Sequence, residues 1–462
     1  MTPLVKVGGV GDVAGALPKA LRRSGCDVRV ALPLHAAIDR ATASAKRVAD
    51  LRDGAALWEG AANGVPVYPI EHETFAREKV YGYDDDVARF LAFCDGVVAA
   101  AGTIDWQPDV IHLQDWHTGL VASRLACNAT HPWADVPRIC TIHNLGYPGA
   151  FDETFARKHG LSPKALAVPE GLEEKLAYSG LAQGILHSDL VSTVSPTYAH
   201  EILTPEVGGE LAPLLQRMAG RLSGILNGID TELFDPATDA HLAARFDSTH
   251  AEARGENKRA LQQKLELSQN EDVPLLGMVS RLSWQKGPDL VAQAVGALLD
   301  RGEAIQLAVL GVGEPEYELQ LTQLAERYPQ QVAVRLAFDE PLGQLIYGGC
   351  DLFLMPSRYE PCGLAQMIAM RYGAAPVVRR TGGLADSVQP CRDGTGTGFL
   401  FSDATAHSVN DAIEEALAVY RDRAAWAALQ QRCMAQDFSW DRAAGEYIAL
   451  YERAIELGAK SR

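Results

Sequence analysis

The sequence holds no Cys-x-x-Cys pair, and its eight cysteines are scattered rather than clustered. That excludes a small disulfide-rich scaffold and points to a reducing compartment, with most thiols serving as small core hydrophobes. No uninterrupted apolar stretch is long enough to span a bilayer. The first residues lack the basic-then-apolar layout of a secretion signal, so the expected location is the cytoplasm. Positive charge is in short supply as well: 42 Lys and Arg against 59 Asp and Glu leave a net charge of −17. A broad nucleic-acid or anionic-membrane surface needs a basic face and is excluded, although a local basic cleft for phosphates is not. Low-complexity tracts and short-period repeats are absent too.

What remains is a chain of 462 residues, 47% hydrophobic and 22% charged, of globular composition and too long for one ordinary core. Short aliphatic strands alternate with amphipathic helices. In the first half the strands read as Val28–Pro33, Val65–Ile70, Asp109–Gln114, Arg138–His143 and Leu190–Ser195. In the second they read as Leu275–Ser280, Ile305–Leu310, Val332–Phe338, Asp351–Met355 and Ala375–Val378. Strand–helix alternation implies parallel sheets with right-handed crossovers. The pattern therefore predicts an α/β protein of two doubly wound, Rossmann-like domains facing a central cleft. Their expected extents are 1–233 and 274–437, with a polar linker over 234–273. A final helix, 438–462, is expected to return to the first domain.

One short pattern occurs twice. Lys6-Val7-Gly8-Gly9-Val10-Gly11-Asp12 stands near the start and Arg380-Thr381-Gly382-Gly383-Leu384-Ala385-Asp386 near the end. Each opens a helical pattern. Paired glycines let backbone N–H groups approach a ligand, and a helix N-terminus favours an anion.

In open α/β sheets ligands bind beyond the carboxyl ends of the strands, and four polar clusters fall there. They are Asp115-Trp116-His117-Thr118, His143-Asn144-Leu145-Gly146-Tyr147, Ser280-Arg281 through Lys286-Gly287, and Ser357-Arg358-Tyr359-Glu360-Pro361-Cys362-Gly363-Leu364. Arg281 and Lys286 read either as a solvated loop or as a cation pair for a diphosphate, since Arg forks onto phosphate oxygens and Lys acts as a point charge. Glu360 reads either as a helix-start carboxylate or as a ligand group. His143 reads as a core histidine or, beside Asn144 and Gly146, as part of a sugar-facing loop. His112 and His117 have no evident third partner for a metal, so no metal is expected.

These motifs, with Asn227-Gly228-Ile229-Asp230, resemble the bacterial glycogen synthase (starch synthase) family over nearly the whole chain and in the right order. The resemblance implies a GT-B fold and a retaining transfer of glucose from a nucleotide-glucose, usually ADP-glucose, to the non-reducing end of an α-1,4-glucan. It implies no cofactor, no metal, and neither nucleic acid nor membrane as a partner. It further implies that Lys6, Arg281 and Lys286 hold the diphosphate with the Gly382 and Gly383 N–H groups. Glu360 would orient the glucose, and the His143 carbonyl would face the oxocarbenium-like centre. Gly8, Gly9, Asp12, Asn227, Cys362, Gly363, Leu364 and Thr381 would join the nucleotide-sugar site, and Asp115, Trp116, His117, Asn144 and Tyr147 the acceptor site.

The chain departs from the family pattern in three places. The strand and Glu that usually precede the segment matching Met1–Lys6 are absent, so the first sheet is expected to lack a central strand and the acceptor side a carboxylate. Ala182 stands where the family often has Lys, and Pro148 replaces a polar residue. Other retaining GT-B transferases, using UDP-glucose for instance, commonly carry a second Glu eight residues after the first; here that position is Ile368. An inactive glucan-binding relative is the non-enzyme alternative.

Overall fold

Strands form where aliphatic runs end at a polar or proline residue, and the two halves of the chain use them differently. The structure, a computed structural model, describes residues 1–5, 8–39 and 43–460. It divides into one unit of Met1–Gly228 with Ser439–Arg462 and a second of Ile229–Phe438.

The first unit has strands β1 (Val30–Pro33), β2 (Lys46–Asp50), β3 (Ala56–Ala62), β4 (Val65–Glu71), β5 (Ile111–Gln114), β6 (Arg138–Ile142), β7 (Leu190–Thr193) and β8 (Leu222–Gly224). They form two four-stranded sheets, ordered β1-β4-β3-β2 and β5-β6-β7-β8, rather than one continuous parallel sheet. The second is parallel throughout. The first is mixed, because β3 runs antiparallel to β4 and β2 antiparallel to β3. The β3–β4 turn is Asn63-Gly64, both at positive φ, the pairing that a two-residue hairpin turn favours. Helix Gly9–Arg23 buries Val13, Leu17, Ala20 and Leu21. These pack with Ile139 and Leu190 of the parallel sheet and with Trp440, Ala443, Ala444 and Tyr447 of the C-terminal helix Trp440–Lys460.

The second unit holds β9 (Leu275–Val279), β10 (Gln306–Leu310), β11 (Val332–Arg335), β12 (Leu352–Met355), β13 (Ala375–Arg379) and β14 (Phe399–Phe401). They make one six-stranded sheet, ordered β11-β10-β9-β12-β13-β14, and every pair is parallel. The stretch 234–273, read above as a linker from its polarity, belongs to this unit. Several of its polar side chains are paired inside it. Lys258 Nζ, on helix Arg254–Lys264, lies 2.7 Å from Asp351 Oδ2 and 3.0 Å from Tyr420 Oη. The chain passes between the units at Gly228–Ile229 and Phe438–Ser439, earlier than the expected end of the first domain. No helix of the described residues is long and apolar enough to cross a membrane.

Candidate active site

The polar clusters that follow β9 and β12 meet in the second unit. Lys286 Nζ is 2.5 Å from Glu360 Oε2, and the Ser357 hydroxyl donates to the same oxygen at 3.0 Å. Glu360 is only 5% exposed. Among the described residues its other oxygen, Oε1, takes no hydrogen bond. The loops are stitched from both sides. Arg358 forks onto Asp289 at 2.9 and 2.6 Å, its N–H donates to the Gln285 carbonyl at 2.8 Å, and its guanidinium lies over the Trp284 ring. A bidentate pair of this kind fixes orientation as well as distance. Arg281 is exposed at the end of β9.

The second Gly-Gly segment abuts this carboxylate. A Cβ on Gly382 would come within 1.9 Å of the Glu360 carbonyl oxygen, and one on Gly383 within 2.1 Å of that of Cys362. Gly383 N–H donates to the carbonyls of Glu360 and Pro361, each at 3.2 Å. That N–H is thus bonded within the protein, and the lack of a side chain at Gly383 lets helix Gly382–Ser387 close against the Glu360 loop. Cys362 and Thr381 are buried and Gly363 and Leu364 half-buried in the same turn. Gln366 Nε2 ties the Cys362 and Gly363 carbonyls to Ser387. Ile368 is buried in helix Ala365–Arg371, so no second carboxylate stands there.

The first Gly-Gly segment differs. Lys6 lies outside the described residues. Gly8 takes φ +80°, which only glycine adopts readily, and a Cβ on Gly9 would meet nothing within 4 Å. Both are exposed at the start of a fifteen-residue helix. The Asp12 carboxylate receives the Thr2 hydroxyl at 3.4 Å.

In the same unit β5 and β6 deliver Asp115 and His143 together. Asp115 Oδ1 accepts the His143 N–H at 2.7 Å and the Asn144 N–H at 3.5 Å. Burial pushes the Asp115 carboxyl up to about 7, against those hydrogen bonds. Asp115 also holds φ +57°, a strained conformation for a non-glycine residue that the surroundings must enforce. His143 Nε2 is 2.7 Å from Gln114 Oε1, and burial lowers its ring to about 3, so it stays neutral. His117 stacks on Trp116 at 4.1 Å and meets Phe90 edge-on at 4.6 Å. Burial lowers it to about 4. Asn144 Oδ1 accepts the Gly146 N–H, and Tyr147 is 53% exposed. Asn227 is 6% exposed, and its buried Oδ1 has no hydrogen-bond partner among the described residues. Ala182 is wholly buried in helix Gly180–Leu186, and the Pro148 carbonyl accepts the Ser179 hydroxyl. Among the described residues no group of three His, Cys, Asp or Glu side chains could hold a metal ion.

One residue that the motifs missed is Phe338, 89% exposed just beyond β11. The apolar run predicts a strand through Phe338, whereas the strand ends at Arg335 and the ring projects free of the core.

Comparison with known proteins bears on family and fold. The starch synthase catalytic domain family matches residues 1–217, and the glycosyl transferases group 1 family matches residues 260–430. A glycogen synthase of Syntrophotalea carbinolica is 43% identical, covering 99% of this chain and 98% of its own. One of Moorella thermoacetica is 44% identical over 99% and 95%. The catalytic domain of starch synthase IV from Arabidopsis thaliana, bound to ADP and acarbose, superposes with a TM-score of 0.90 at 35% identity, covering 99% of this chain and 98% of that one. A sucrose-phosphate synthase of Thermosynechococcus elongatus, at 18% identity and TM-score 0.62, shares the fold.

Proposed function

The chain belongs to the glycogen synthase family, hexosyltransferases of the GT-B fold, and we propose that it moves glucose from ADP-glucose to the non-reducing end of an α-1,4-glucan. The observation that carries this reading is the enclosed Glu360 carboxylate. One oxygen is held by Lys286 and Ser357, and the other accepts no hydrogen bond among the described residues. A fixed, acceptor-only group of this kind recognises sugar hydroxyls.

In this reading Arg281 and Lys286, with Lys6, hold the diphosphate. Preplaced cations meet the charge that grows on the leaving phosphate. The exposed Phe338 ring offers a face to the base, and Asn227 Oδ1 accepts from a donor hydroxyl. The His143 carbonyl faces the developing positive charge at the anomeric carbon. Asp115, Trp116, His117, Asn144 and Tyr147 receive the glucan end. The acceptor oxygen bonds to the anomeric carbon as the bond to the phosphate oxygen breaks. The acceptor's proton passes to the departing phosphate, and the configuration is retained.

The test is nucleotide release and chain elongation with glycogen, comparing ADP-glucose and UDP-glucose at equal concentration. Faster turnover of UDP-glucose overturns the donor assignment, and binding of glycogen without nucleotide release from either donor overturns the transferase reading.

A further inference from the structure

Strands β5 and β6 are joined by side chains as well as by their ladder. The outer tie is Gln114 Oε1 to His143 Nε2 at 2.7 Å. Deeper on the same pair of strands, His112 Nε2 is 2.6 Å from Thr141 Oγ1, and Thr141 Oγ1 is 2.6 Å from Ser192 Oγ on β7. Thr141 and Ser192 are wholly buried. The other ring nitrogen of His112, Nδ1, is 2.9 Å from the Tyr451 hydroxyl on the C-terminal helix. Desolvation lowers the His112 ring to about 4, so near neutral pH it donates from one nitrogen and accepts at the other. The reaction scheme above does not use His112, Thr141, Ser192 or Tyr451.

The inner tie ends where the site begins. The Thr141 carbonyl accepts the Asp115 N–H at 2.9 Å. Two residues after Thr141, the His143 N–H donates to Asp115 Oδ1 at 2.7 Å. Asp115 keeps its positive φ only while this strand end is held.

We propose that Tyr451 is a positioning residue for the Asp115–His143 pair, acting through His112 and Thr141. The C-terminal helix thereby sets the register of the two strand ends that carry the pair, in addition to covering the core. A chain of hydrogen bonds between enclosed groups fixes its members more tightly than apolar packing does, because each lost bond strands a partner.

The inference rests on the reading of Asp115 and His143 as groups of the reaction site, and the experiment separates the two. Tyr451→Phe removes one hydroxyl and keeps the ring. We expect kcat to fall about tenfold, with KM for donor and glucan within about twofold of the original. Leu450→Ala loosens the same helix at a buried apolar position. We expect it to lower Tm and to leave kcat near the original well below the melt. Asp115→Asn should abolish most turnover. If Asp115→Asn turns over normally, the site reading falls and the positioning role with it. If Asp115→Asn is inactive but Tyr451→Phe keeps full kcat, or if Leu450→Ala loses as much kcat as Tyr451→Phe, the site reading stands and the role of Tyr451 is overturned.

Discussion

Lys286 Nζ and Glu360 Oε2 stand 2.5 Å apart with both side chains largely enclosed. Neither charge is cheap to strand. Removing one partner of a buried pair costs about 3–5 kcal/mol, mostly because the other is left uncompensated. Lys286→Ala should therefore lower Tm and also lose a transition-state contact worth about 2–4 kcal/mol, a hundredfold or more in turnover. Arg281→Ala, at an exposed strand end, should lose turnover without the fall in Tm. Near-normal turnover of both variants at saturating donor would remove the diphosphate assignment.

The two Gly-Gly segments share a sequence pattern but not a packing environment, and alanine should tell them apart. Gly382→Ala and Gly383→Ala drive a methyl into the Glu360 and Cys362 carbonyls, so both stability and activity should fall together. Gly9→Ala meets open space, and alanine loses less backbone freedom on folding than glycine does. Its Tm should hold or rise. Turnover should fall at Gly9 if that backbone lies against a ligand. A Tm loss at Gly9 equal to that at Gly383 would contradict the packing contrast.

Phe338→Ala removes an exposed ring and so should leave Tm unchanged. Base stacking contributes about 1–3 kcal/mol, so KM for the nucleotide-glucose should rise about tenfold, with kcat at saturation little changed. An unchanged KM would place the base elsewhere.

Turnover should survive excess chelator, because fixed cations take the part that Mg²⁺ plays at other phosphate sites. Loss of activity with EDTA, restored by Mg²⁺ or Mn²⁺, would contradict this.

Fold class was legible because a buried parallel strand writes itself as a short aliphatic run broken by a polar residue. Val279 before Ser280-Arg281 and Met355 before Pro356-Ser357 are such breaks. The hairpin β2–β3 was not, since β2 is nearly all exposed and its pairing slips between Arg47 and Ala49. β14 spans only Phe399–Phe401 and signals little. Within the site, local spacing pointed to Lys286 and Glu360 as separate groups. Their pairing spans 74 residues of sequence and depends on how β9 and β12 lie side by side. The spent donor of Gly383 has the same origin. Its partners, Glu360 and Pro361, are neighbours in space that no local pattern announces.

Asp115 should leave a signature in stability against pH. Burial pushes its carboxyl up to about 7 in the folded protein, from an ordinary value of 3.8. Between those values the folded state holds the extra proton, so this group's contribution to stability declines as pH rises from about 4 to about 7. His112, His117 and His143 act oppositely. Burial lowers each of them, so their contribution is lost as pH falls below their ordinary range. The raw Tm profile mixes the two, and the difference between Asp115→Asn and the unaltered protein isolates the first. Asparagine keeps an oxygen for the His143 and Asn144 N–H groups but cannot ionise. The variant's Tm relative to the unaltered protein should therefore climb steadily from pH 4 to 7 and flatten above. A difference that stays level across that window would mean that Asp115 ionises as freely when folded as when unfolded, and that its enclosure costs it nothing.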